Sequence, residues 1–233
     1  MAMHRGRQHD EDTRDATHLL WGSASFAFAA CVANSFARYG WCGAIRGVEG
    51  GGLVEGLPTW VHEAENGGQV RSSVEITITD RHEKVLADLG FMPIVQCKGT
   101  DYAAFFSVQS CCQPKLFTSE AANANSRLAC QLPYVLTASR FMYYFKVVAR
   151  DSIGSYHTRG DWERLFNAWI SQYVLLDDQA SSAIKAKYPL REARVEVAED
   201  TSRPGRYRIA AYLRPHFQLA ELTVSLRVIG YIN

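Results

Sequence analysis

Hydrophobic and polar positions alternate most regularly in the last third of the chain. From Arg206 to Arg214, Tyr207, Ile209, Ala211 and Leu213 fall on one face, and Arg206, Arg208 and Arg214 on the other. After a short turn, Leu222, Val224, Leu226 and Val228 alternate with Thr223, Ser225 and Arg227. A period of two marks half-buried strands, so the pattern predicts strands near 193–199, 206–214 and 222–229. A terminal strand can pair within its own sheet or be donated to a neighbour's. Upstream the period changes to that of helices. Pro133 opens a helix to about Arg150, with Leu136, Phe141, Tyr144, Phe145 and Val148 available for packing. A second, capped by Asp161, carries the stripe Trp162, Leu165, Phe166, Trp169, Ile170 and Tyr173. A short helix over 179–187 precedes the strands.

The first half is less regular. Residues 1–15 are polar and charged, which predicts a disordered start. Thr17 to Arg38 reads as a helix ended by Tyr39-Gly40, followed by glycine-rich sequence to Pro58. Val74, Ile76 and Ile78 alternate with Glu75, Thr77 and Thr79 as a strand, after which Asp80 caps a short helix. Short strands are expected over 92–95 and 103–107. The segments group as 1–15, a first body part over 16–130 and a C-terminal region over 131–233.

Composition narrows the function classes. The 233 residues are 47% hydrophobic, enough for one sizeable domain or two small ones. With 25 basic and 24 acidic residues there is no basic excess to favour nucleic acid. Leu19 to Ala37 is uncharged but rich in Ala and Ser, which suits a buried helix better than a membrane span. Asp10, Glu11, Asp12 and Asp15 ahead of it argue against a signal peptide. The six cysteines form no C-x-x-C pair and read as reduced, mostly buried thiols.

Catalytic signals are lacking. Gly50-Gly51-Gly52 has neither a P-loop ending nor a G-x-G-x-x-G spacing, and reads as a turn where backbones approach closely. The seven histidines are scattered, with no H-E-x-x-H. His216, between Pro215 and Phe217, is expected to pack or hydrogen-bond at a strand end. No serine lies in a G-x-S-x-G elbow and no motif nominates a cysteine nucleophile. The expectation is a protein with no enzymatic activity, cofactor or tightly bound metal.

Several blocks, in order along the chain, carry a specific resemblance. They include Ile45-Arg46-Gly47-Val48-Glu49-Gly50-Gly51-Gly52, Thr77-Ile78-Thr79-Asp80-Arg81 and Lys98-Gly99-Thr100-Asp101-Tyr102. Further on stand Ala149-Arg150-Asp151-Ser152-Ile153-Gly154-Ser155, Pro189-Leu190-Arg191-Glu192-Ala193-Arg194-Val195 and Leu213-Arg214-Pro215-His216-Phe217. From about Thr17 to Val228 the chain resembles the C-terminal portion of the large contractile-sheath subunit of bacterial type VI secretion systems.

The resemblance implies an α/β fold of the contractile tail-sheath kind, with a mixed sheet, flanking helices and a C-terminal strand available for inter-subunit sheet augmentation. It implies assembly with the small sheath subunit and with further copies of the chain in a helical lattice. That lattice would surround an inner tube, join a baseplate and lie in the bacterial cytoplasm. No nucleic acid and no membrane insertion are expected. The segment engaged by the disassembly ATPase in this family lies upstream of the blocks found here, so it is expected to be missing. Two site expectations follow from the resemblance. The first is an inter-subunit strand made of Leu222, Thr223, Val224, Ser225, Leu226, Arg227 and Val228. The second is an inner-tube contact on the Asp161–Tyr173 helix through Glu163, Arg164 and Asn167. A phage-like tail sheath and a truncated, non-assembling remnant are the alternatives.

Overall fold

The computed structural model describes residues 2–3, 20–57, 60–64, 67–71, 73–152, 157–200, 202, 206–216 and 226–232. The chain forms two compact units, one of residues 1–38 with 44–112 and the other of 39–43 with 113–233. The class is α/β, with six helices among the described residues. Of the expected disordered start, Ala2–Met3 (β1) pair with Leu20–Trp21 (β2), and residues 4–19 lie outside the described residues.

In the first unit, α1 (Ala24–Tyr39, its last residue already in the second unit) buries only Ala27, Cys31 and Ser35. Positions i, i+4 and i+8 make one narrow stripe of small side chains. A three-stranded antiparallel sheet follows, in the order β3 (Leu53–Val54), β7 (Ala103–Ala104), β6 (Val95–Gln96). Trp60–Ala64 (β4) and Gly67–Arg71 (β5) make a separate hairpin.

The glycine run is a close-approach turn. Gly51 has φ +88°, and a Cβ on it would lie 2.2 Å from the Ala44 carbonyl oxygen. A Cβ on Gly52 would lie 2.7 Å from the Phe105 carbonyl oxygen. Gly47 N–H donates to Phe105 O at 2.7 Å and Phe105 N–H to Gly52 O at 2.9 Å. Only glycine lets these backbones meet.

The alternation from Val74 to Thr79 does not become a strand. Residues 73–76 bend, Val74 is buried and Ile76 is 71% exposed. The bend is held at its start, where Ser73 N–H donates to Gln96 Oε1 at 3.2 Å. Helix α2 (Asp80–Asp88) follows, and its cap is Thr79 rather than Asp80: Thr79 Oγ1 accepts from His82 N–H. The expected strands over 92–95 and 103–107 shrink to β6 and β7.

In the second unit, α3 (Glu120–Ala129) precedes α4 (Leu132–Asp151), whose Pro133 sits in the first turn as expected. Helix α5 (Arg159–Ser171) starts one turn earlier than Asp161 suggests. Thr158 is its cap and Asp161 closes a reciprocal capping box. Ser181 caps α6 (Ser182–Lys187).

The terminal sheet runs β8 (Leu190–Glu199), β9 (Tyr207–Pro215), β10 (Leu226–Ile232), antiparallel, with β9 in the middle. Among the described residues, parallel pairing is confined to the bridge between Val174 and Leu190. Helices α4 and α5 cover the inner face, where Val195, Val197, Ile209, Ala211 and Leu213 are fully buried. Trp41 stacks on Phe141 at 4.4 Å, and Phe145 meets Phe166 edge-on at 5.1 Å. Such pairs add about 1 kcal/mol each beyond their burial.

No disulfide joins the six cysteines, but only Cys31 and Cys130 are buried, and Cys111 and Cys112 are exposed. The expectation of mostly buried thiols fails at that adjacent pair, which lies in the irregular segment ahead of α3.

Candidate functional site

The terminal sheet is the strongest candidate site because its two outer edges differ. A β-strand edge is a row of backbone donors and acceptors that must be paired, covered or solvated. On β8 the fold itself covers them. Leu175 N–H donates to Leu190 O at 2.8 Å, and Leu190 N–H donates to Tyr173 O at 3.2 Å. Further along, Asn167 Nδ2 donates to Val195 O at 2.8 Å while Asn167 Oδ1 accepts from Val195 N–H at 3.0 Å. Glu163 Oε2 then accepts from Val197 N–H at 3.5 Å. Glu163 and Asn167 are one helical turn apart, so they share one side of α5. The adjacent stripe Trp162, Phe166 and Ile170 enters the core. Helix α5 therefore seals the edge of β8.

At the other side of the sheet, β10 pairs only with β9 among the described residues. Its register runs from Leu226 opposite Leu213 to Ile232 opposite Tyr207. Val228 packs against the core and Ile232 is buried, whereas Arg227, Ile229 and Tyr231 point away from it. A Cβ on Gly230 would sit 2.3 Å from Met142 Cε, so glycine here lets β10 lie close against α4. Of the seven residues expected to form an inter-subunit strand, Leu226, Arg227 and Val228 lie in β10, paired within their own chain. Leu222, Thr223, Val224 and Ser225 lie outside the described residues.

The three residues expected to touch an inner tube are not equivalent. Glu163 and Asn167 are turned onto β8, as described. Arg164 is 82% exposed at its side chain and pairs with Asp161. The role of Asn167 had no local signal, because its partner lies 28 residues away. A polar residue flanking an apolar helical stripe is all that the sequence displays. At the end of β9 the backbone N–H of His216 donates to Pro189 O at 3.0 Å, and its side chain is half-buried. Burial pushes its pKa down, with Lys185 adding to the effect and Asp178 opposing it. Asp161 is held down to about 2, first by its hydrogen bonds with Thr158 and then by Arg164.

Among the described residues, no three His, Cys, Asp or Glu side chains form a group able to hold a metal ion. None of the described helices is long and apolar enough to cross a membrane. The features of the site are backbone edges and sheet faces, which suit assembly.

Comparison with known proteins agrees. Residues 3–112 match a family model described as EvpB/VC_A0108, tail sheath N-terminal domain. Residues 121–232 match its companion, EvpB/VC_A0108, tail sheath gpW/gp25-like domain. The chain is 41% identical over 225 residues to the type VI secretion system sheath protein TssC1 of Pseudomonas aeruginosa. That alignment covers 96% of this chain and 45% of the relative, so the chain spans under half the relative's length. The two models meet the chain close to the division between its compact units at Cys112 and Gln113. The chain belongs to the EvpB/VC_A0108 tail-sheath family, the large sheath subunits of type VI secretion systems.

Proposed function

We propose that the chain is a structural subunit of the contractile sheath, without catalytic activity, working in the bacterial cytoplasm. In this reading it pairs with the small sheath subunit, and the pairs stack with further copies around an inner tube that contraction drives outward from a baseplate. Family membership supports the reading. The observation that carries it is the asymmetry of the terminal sheet: α5 bonds the outer edge of β8, whereas β10 pairs only with β9 among the described residues.

The expected inter-subunit strand then acts through the outer edge of β10, to which a neighbour's strand adds. Main-chain bonds of this kind depend little on side chains, so they can persist while the subunit bodies repack. Of the expected inner-tube contacts, Arg164 is the side chain with its charge at the surface, while Glu163 and Asn167 serve the fold.

Co-expression with the small subunit and negative-stain microscopy test this reading. Wild-type chain should give long tubules. Adjacent residues of a strand send their N–H groups to opposite edges, so Val228→Pro and Ile229→Pro separate the two edges. One variant should keep its circular dichroism and lose tubules, and the other should lose the β9 pairing as well. Small soluble particles from the wild-type pair, or normal tubules from both variants, would overturn the proposal.

A further inference from the structure

The outer face of the terminal sheet, opposite α4 and α5, is built differently from the edge just discussed. Its strands place Arg208 and Arg214 from β9, Arg194 from β8 and Arg227 from β10 on one surface, with Arg206 at its rim. No lysine is among them. Across the register, Arg208 stands opposite Tyr231 and Tyr212 opposite Arg227. The guanidinium of Arg206 lies over the Tyr231 ring at 4.3 Å, and that of Arg227 over Tyr212 at 5.8 Å. At the middle of the face, Ala210 is buried and its cross-strand neighbour Ile229 is 47% exposed.

Charge on this face is only partly matched. Arg194 pairs with Glu196 at 2.9 Å, Arg214 with Glu192 at 3.7 Å and Arg206 with Asp200 at 3.8 Å. Arg208 and Arg227 are exposed and carry no ion pair among the described residues. A small apolar centre ringed by arginine and tyrosine is the composition of an interface core and rim. Stacking on the tyrosines limits the motion of Arg206 and Arg227, so less entropy is lost when their planar forks meet a carboxylate.

We infer that this face is a docking surface for a protein partner that presents carboxylates to Arg208 and Arg227 and an apolar side chain to Ile229. The exposed Ile229 at the centre of the face suits an apolar protein side chain, which a phosphate backbone does not offer, and so favours an acidic protein over nucleic acid. The surface is distinct from the β10 edge, so the inference stands or falls apart from the sheath reading.

The test uses the purified full chain with fluorescently labelled poly-L-glutamate as probe, read by anisotropy, and single-stranded oligodeoxythymidylate as the comparison polyanion. Arg208→Gln/Arg227→Gln and Arg208→Glu/Arg227→Glu are compared with Lys146→Glu/Arg150→Glu, which alters exposed cations on α4. Circular dichroism checks that each variant is folded, and the glutamine pair retains the test if the glutamate pair does not fold. Polyglutamate binding should weaken at least tenfold in the face variants and less than twofold in the α4 variant. Absence of polyglutamate binding by the wild type, or equal loss in the face and α4 variants, would overturn the inference. So would face variants that lose only oligodeoxythymidylate binding, which would assign the surface to nucleic acid.

Discussion

The carboxamide of Asn167 satisfies both backbone groups of Val195 at once, donating to its carbonyl at 2.8 Å and accepting from its N–H at 3.0 Å. One side chain thus does for the edge of β8 what a further strand would do. The covered backbone belongs to a residue whose own side chain is fully buried in the core. Asn167→Ala leaves a donor and an acceptor without partners, at a cost of about 1–3 kcal/mol. Urea denaturation of the purified chain should show that loss. A variant within about 0.3 kcal/mol of wild type would mean that water replaces the carboxamide freely.

Gly230 and Met142 should be energetically coupled. Adding a Cβ at Gly230 drives it against Met142 Cε, and overpacking of this kind costs about 1–3 kcal/mol. The methionine tip is flexible, so the lower half of that range is expected for Gly230→Ala. In a Met142→Ala background the same substitution should cost little. A double-mutant cycle checks this, and additive effects would rule out the contact as the cause.

The glycine turn tolerates less. Its obstacles are the backbone oxygens of Ala44 and Phe105, which cannot rotate aside as a methionine can. Gly52→Ala should therefore lower soluble yield and melting temperature far more than Gly230→Ala does. Similar behaviour of the two variants would contradict the close approach described here.

Two ionisable groups predict acid sensitivity, each in its own range. His216 has its pKa lowered from the usual 6.5 by burial, so the folded state favours the neutral ring. Its contribution is complete above the unfolded value and is lost as pH falls from 6.5 through the folded value. Asp161 is lowered from 3.8 to about 2, so its contribution is present above 3.8 and is lost as pH falls towards 2. Stability measured against pH should flatten below 6.5 in His216→Asn and below 4 in Asp161→Asn. Curves that overlay the wild type would refute the assignments.

The parts of the fold that were legible in the sequence are those with a strict period. Tyr207 to Leu213 and the stripe from Trp162 to Ile170 each bury the face that their spacing marks. Helix α3 leaves no mark in the sequence, because Glu120 to Ala129 has no clean apolar stripe and none of its described side chains is buried. The start of β8 at Leu190 was equally hidden, since it is extended by the bridge to Val174 rather than by alternation. Val74 to Thr79 alternates but bends instead of joining a ladder, and a period of two makes a strand only where another strand accepts its backbone. The sheet as a candidate site could be read from pattern and resemblance. The sealing of one edge by Asn167 could not, because it joins residues far apart in sequence through a single side chain.

Amide hydrogen exchange across Leu226–Ile232, compared between the chain alone and the chain assembled with the small subunit, bears most directly on the open edge of β10. In the free chain, alternate amides of this strand should exchange quickly, because only one edge of β10 is paired among the described residues. Assembly into tubules should protect those fast amides, while the amides of β8 near Val195 and Val197 remain protected throughout. Tubules in which the fast amides of β10 keep exchanging as they do in the free chain would contradict the strand linkage.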